Sequence, residues 1–163
     1  MSTSATNVIG LLDAGAPDAA AISTPGGIPL TYHALRALAA ETVAALNAKG
    51  IGRGDRVAIV LDNGPEMAAA FLCVAAGATA APLNPAYRAE EFEFYLSDLH
   101  ARILIIERDK ASPVVDVANK LGVPIVRLVA TPGRGAGSFA LTFSDSTGTN
   151  KTSHSGPAAP APF

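Results

Sequence analysis

A three-layer α/β fold on a parallel sheet is what this sequence predicts, and three observations carry the prediction. From residue 56 onward, short apolar runs alternate with longer segments of helical period: RVAIVL, MAAAFLCVAAG, ATAAPL, AEEFEFYLSDLH, RILII, SPVVDVANKLG and VPIVRLV. Runs such as RILII lack polar alternation, the mark of strands covered on both faces. Strands joined through helices need crossover connections, which lay the strands parallel with helices over the sheet. The 163 residues suffice for one domain with its own core.

The elements follow in order. NVIGLLDA, residues 7–14, reads as a short amphipathic helix. AAAIS (19–23) and IPLT (28–31) flank a Pro-Gly-Gly turn and predict an N-terminal β-hairpin. TYHALRALAAETVAALNAKG predicts the clearest helix, capped by Thr31 and stopped at Gly50. Leu35, Leu38, Thr42, Val43 and Leu46 fall on one face at helical spacing. Gly-Arg-Gly-Asp turns into the strand RVAIVL, and Asp62-Asn63-Gly64-Pro65-Glu66 opens the next helix. Asp62 or Asn63 is the expected cap there, with Pro65 in the first turn and Glu66 on the helix dipole. ATAAPL predicts a strand and NPAY a turn. In the helix AEEFEFYLSDLH, Phe92, Tyr95, Leu96 and Leu99 recur at helical spacing. RILII is a buried strand, Ser112-Pro113 opens a further helix, and VPIVRLV is the last strand. From residue 131 the chain is rich in Gly, Ser, Thr, Pro and Ala, so 1–130 is expected to be the folded subdomain and 131–163 a linker or tail.

Composition excludes several function classes. The formal net charge is −2, with 12 Lys and Arg against 14 Asp and Glu, and no basic run points to nucleic acid or an anionic membrane. The N-terminus carries no basic, apolar signal segment, and the alanine-rich stretch from Met67 to Pro82 is interrupted by Gly77. A cytoplasmic protein without a membrane span is expected. One cysteine, Cys73, rules out an internal disulfide and a cysteine-cluster metal site. Inside FLCVAAGA it reads as a buried structural thiol. His33, His100 and His154 are scattered without metal spacing and read as surface residues. Glu90, Glu91 and Glu93 point to different sides of a helix start, which suits a solvated helix better than a paired-carboxylate site. No catalytic residue and no metal ligand emerges from this chain's own chemistry.

SDSTGTNKTSHSG, residues 144–156, imitates a phosphate-binding loop. A working loop aims backbone amides at one anion and runs into a helix N-terminus. Here no second glycine stands beside Lys151, no buried strand leads in, and TSHSGPAAPAP follows where a helix is needed. The stretch is expected to be solvated tail.

The segment LTYHAL, then GIGRGDRVAIVLDNGPE, then GATAAPLNPAYRAEEFEFYLSD, in that order, resembles the N-terminal part of the adenylate-forming superfamily. That group includes acyl-CoA synthetases, luciferases and the adenylation domains of peptide synthetases. The resemblance covers about residues 7–130, and APLNPAYRAEEFEFYLSDL is most similar to the oxalate–CoA ligase branch. It implies an N-terminal hairpin and an incomplete (βα) subdomain of an AMP-forming ligase, which joins a carboxylate to CoA at the expense of ATP. ATP, Mg2+ and CoA are the implied cofactors of the parent enzyme, and none is expected on this chain alone. The family's phosphate loop, roughly TSGTTGxPK, follows a Pro/Ala-rich linker similar to GPAAPAPF, so this chain is expected to stop upstream of it and to be inactive alone. The remainder of the synthetase is expected to cover an apolar face. Some relatives place an arginine just after Asn-Pro to meet CoA phosphate. That position is Ala86 here, and the nearest arginine, Arg88, inherits the role of CoA-phosphate contact. Asn84, Pro85 and Tyr87 are expected to shape the turn. Two other readings use the same fold without catalysis: an α/β binding module with a crevice at the carboxyl ends of its strands, and a protein-interaction module.

Overall fold

Local chemistry sets the start and end of most elements in the computed structural model, which describes residues 7–143. Helix α1 (Val8–Asp13) opens where Asn7 Oδ1 accepts the Gly10 N–H at 2.8 Å. Strands β1 (Ala20–Ile22) and β2 (Leu30–Thr31) pair antiparallel as the expected hairpin. Helix α2 (Tyr32–Ala48) begins with Thr31 Oγ1 accepting the Ala34 N–H at 3.2 Å, and it buries Leu35, Leu38, Ala39, Thr42 and Leu46. Buried Thr42 is tolerated because its hydroxyl donates to the Leu38 carbonyl at 2.8 Å.

The alternation then runs β3 (Arg56–Val60), α3 (Pro65–Ala75), β4 (Thr79–Pro82), α4 (Ala89–Asp98), β5 (Ile103–Glu107), α5 (Pro113–Leu121) and β6 (Ile125–Ala130). Ser112 Oγ accepts the Val114 N–H to start α5, and Gly122, with φ 68°, ends it in the left-handed conformation. A last strand, β7 (Phe139–Phe143), follows a single 3-10 turn at Pro132–Arg134.

The sheet order is β4-β3-β5-β6-β7. The first four strands are parallel, with Ala58 opposite both Ala81 and Leu104, and Leu104 opposite Ile125. Strand β7 is antiparallel to β6, Ala130 facing Phe139 and Val126 facing Phe143. Side-chain alternation sorts the central strands into two cores. Val57, Ile59, Ile103 and Ile105 join the core beneath α2 and α3, with Leu30, Leu35, Leu46 and Cys73. Ala58, Val60, Leu104 and Ile106 join the core beneath α4 and α5, with Phe92, Leu96, Val114 and Ala118. Burying one such Leu or Ile contributes roughly 1.5–3 kcal/mol. Strands β3 and β5, covered on both faces, therefore anchor the three layers.

Two expectations are corrected. Neither Asp62 nor Asn63 caps α3: its N-cap is Gly64, without a side-chain hydrogen bond, and Asp62, two residues earlier, pairs with Lys110. The sheet also extends past residue 130. The stretch from 131, read as linker, contains β7 and a tightly packed approach to it. The Ala136 N–H donates to the Ile28 carbonyl at 2.7 Å, and Thr131 N–H to the Ser138 carbonyl at 2.7 Å. Gly137, with φ +80°, lies so close to helix α3 that a Cβ there would overlap the Pro65 carbonyl. Glycine in this loop therefore serves close backbone approach rather than flexibility. Residues 144–163, including the Ser/Thr-rich stretch at 144–156, lie outside the described residues.

Candidate functional site

The order of strands reverses at β3, which sends β4 to one side and β5 to the other. In open α/β sheets, ligands enter outside the carboxyl ends of the strands at such a point. The two loops that leave β3 and β5 are tied across it by an ion pair between Lys110 Nζ and Asp62 Oδ2. Beside them the first turn of α3 is backed by Gly137 against Pro65.

The neighbouring loop carries the residue singled out in the sequence. Between β4 and α4, the Leu83 N–H donates to the Ile59 carbonyl at 2.9 Å, keeping the loop on the sheet. Asn84 Oδ1 then accepts the Ala86 N–H at 2.9 Å, and the Tyr87 N–H donates to the Asn84 carbonyl at 3.2 Å. Asn84 builds a turn in this way because its side chain mimics one more peptide unit. Arg88 takes the N-cap of α4, and its N–H donates to Glu91 Oε2 at 2.8 Å, so the carboxylate supplies the cap that arginine cannot. The Arg88 side chain is exposed, with Glu90 and Glu91 in the first turn beside it.

Tyr87 does more than shape the turn. Its ring meets buried Phe92 edge-on at 5.8 Å and stacks on Tyr95 at 5.0 Å with a 13° interplanar angle. Phe94 adds a third surface ring, edge-on to Tyr95 at 5.3 Å. Hydrogen bonding with Tyr95 pushes the Tyr87 phenol up from its ordinary value, with smaller contributions from desolvation, Tyr95 and Glu91. Sequence reasoning missed this ladder. Helical spacing grouped Tyr95 with Phe92, Leu96 and Leu99, of which only Phe92 and Leu96 are buried, and a ring on the preceding turn has no period to reveal its partner.

The other residues considered in the sequence do not converge. Cys73 is buried, and burial pushes its thiol up to about 12 against a weaker opposing hydrogen bond with Thr42. Such a thiol is not a nucleophile. His33 and His100 are exposed, and His100 closes α4 with φ 49° and Nδ1 2.9 Å from the Asp98 carbonyl. His154 lies outside the described residues. Glu93 pairs with Lys120 of α5 at 2.8 Å. Among the described residues, no group of three or more His, Cys, Asp or Glu is arranged to hold a metal ion, and no helix is long and apolar enough to cross a membrane.

Comparison with known proteins matches this arrangement to one family. An oxalate–CoA ligase of Arabidopsis thaliana is 42% identical over 109 residues, which are 66% of this chain and 21% of that protein. A probable CoA ligase of Humulus lupulus is 40% identical over 126 residues, 77% of this chain and 24% of its own length. The chain therefore spans about a fifth to a quarter of these curated relatives. Among solved structures, apo MatB from Rhodopseudomonas palustris superposes with a TM-score of 0.67 at 25% identity, covering 86% of this chain and 30% of that one. A fatty acyl CoA synthetase of Mycobacterium tuberculosis gives 0.60 at 30% identity, covering 80% of this chain and 25% of its own. The family model for AMP-binding enzymes matches residues 13–159, which take in the hairpin, both cores and β7, and on that match the chain belongs to the AMP-binding enzyme family.

Proposed function

We propose that this chain is the N-terminal part of an AMP-forming acid–thiol ligase whose carboxylic acid is oxalate. The observation that carries the reading is the 42% identity to an oxalate–CoA ligase over 109 residues. In the reaction, a carboxylate oxygen attacks the α-phosphorus of ATP, pyrophosphate leaves, and an acyl-adenylate forms. The CoA thiol then attacks the acyl carbon, and AMP leaves with the bonding electron pair. The first step needs charge neutralised at the transferring phosphoryl group, the second an aligned thiol. Mg2+ would supply part of that neutralisation; among the described residues no group of three or more His, Cys, Asp or Glu is arranged to hold a metal ion.

The chain's own contribution in this reading is scaffold and edge. Arg88, exposed beyond the carboxyl end of β4, would meet a CoA phosphate with its planar fork. Lys110 is committed to Asp62, and Cys73 is held as a neutral thiol, so neither substitutes for the missing chemistry. The chain by itself is inactive in this proposal, and the cytoplasm is its compartment. Exposed Ile28 and Phe71 belong to the apolar surface that the rest of the ligase would cover.

The test uses two proteins. The 163-residue chain, given ATP, Mg2+, CoA and oxalate, should release no AMP above the blank. The ligase containing it should form oxalyl-CoA in preference to malonyl-CoA or a fatty acyl-CoA. AMP release by the chain alone would remove the claim of inactivity, and preference for another acid would remove oxalate. In the ligase, Arg88→Ala should raise the KM for CoA about tenfold, the value of one charge-assisted hydrogen bond, with kcat little changed. An unchanged KM takes Arg88 out of the CoA site.

A further inference from the structure

We draw no further inference here: the strongest candidate, the apolar outer face of helix α3 around Phe71 beside the edge strand β4, already enters the proposal above as surface for the rest of the ligase, and nothing in the structure itself shows what covers it.

Discussion

At the scale of single residues, Cys73 shows how burial decides chemistry. Its thiol lies in the core under α2 and α3, and desolvation raises its pKa from 9.0 to about 12. The sign of the resulting pH dependence follows from proton counting. Between pH 9 and 12 the folded thiol keeps a proton that the unfolded chain has released. Stability from this group is full below pH 9 and declines through that window by up to about 1.4 kcal/mol per pH unit. Urea unfolding of wild type and Cys73→Ala at pH 8 and pH 10 checks this. The wild type should lose about 1.4 kcal/mol more than the variant between the two pH values, other titrating groups being common to both. Parallel losses would mean that the thiol ionises in the native core. The buried, inert character of Cys73 was legible from FLCVAAGA alone. The Tyr87–Tyr95–Phe94 ladder was not, because it joins a turn to a helix face and no single period spans both.

At the scale of elements, the sequence marks a boundary wherever a side chain finds its partner locally. Thr31 and Ser112 accept amide hydrogens two or three residues ahead, and both were readable as caps. Asp62 lies two residues upstream of the α3 N-cap, and its carboxylate turns to Lys110, 48 residues on. That partner is invisible to any local window. Helix α3 starts instead on Gly64 and Pro65, with Glu66 in the first turn. A contrast among three variants follows. Thr31→Ala and Ser112→Ala should each cost about 1 kcal/mol in chemical denaturation. Asn63→Ala should stay within about 0.5 kcal/mol, as a surface change that removes no cap. A loss at Asn63 equal to that at Thr31 would show that Asn63 caps α3 in solution.

For the molecule as a whole, the question is where the folded unit closes. Composition placed the boundary at residue 130, because Gly, Ser, Thr and Pro dominate the sequence from there onward. The structure continues through β7, and the reason is topological. Strand β6 would otherwise present its free edge, and an unpaired parallel edge invites association with other chains. Strand β7 returns antiparallel along it, and Phe139, only 2% exposed, enters the core with Val126 and Leu128. Composition fails here because the approach to β7 uses glycine for contact: Gly135 lies against Leu30 and Gly137 against Pro65, joining the hairpin, α3 and the sheet at one point. A chain ending after Ala130 loses Phe139, the Ala136 bond to Ile28 and the ladder along β6. Phe139 alone accounts for roughly 1.5–3 kcal/mol. The ladder and the loop raise the loss to the order of the 5–15 kcal/mol by which whole domains are stable. That truncation should abolish cooperative thermal unfolding and expose dye-binding surface. Cooperative, monomeric unfolding of the 1–130 piece would return residues 131–143 to the linker and make β7 an accessory of the sheet rather than its closing strand.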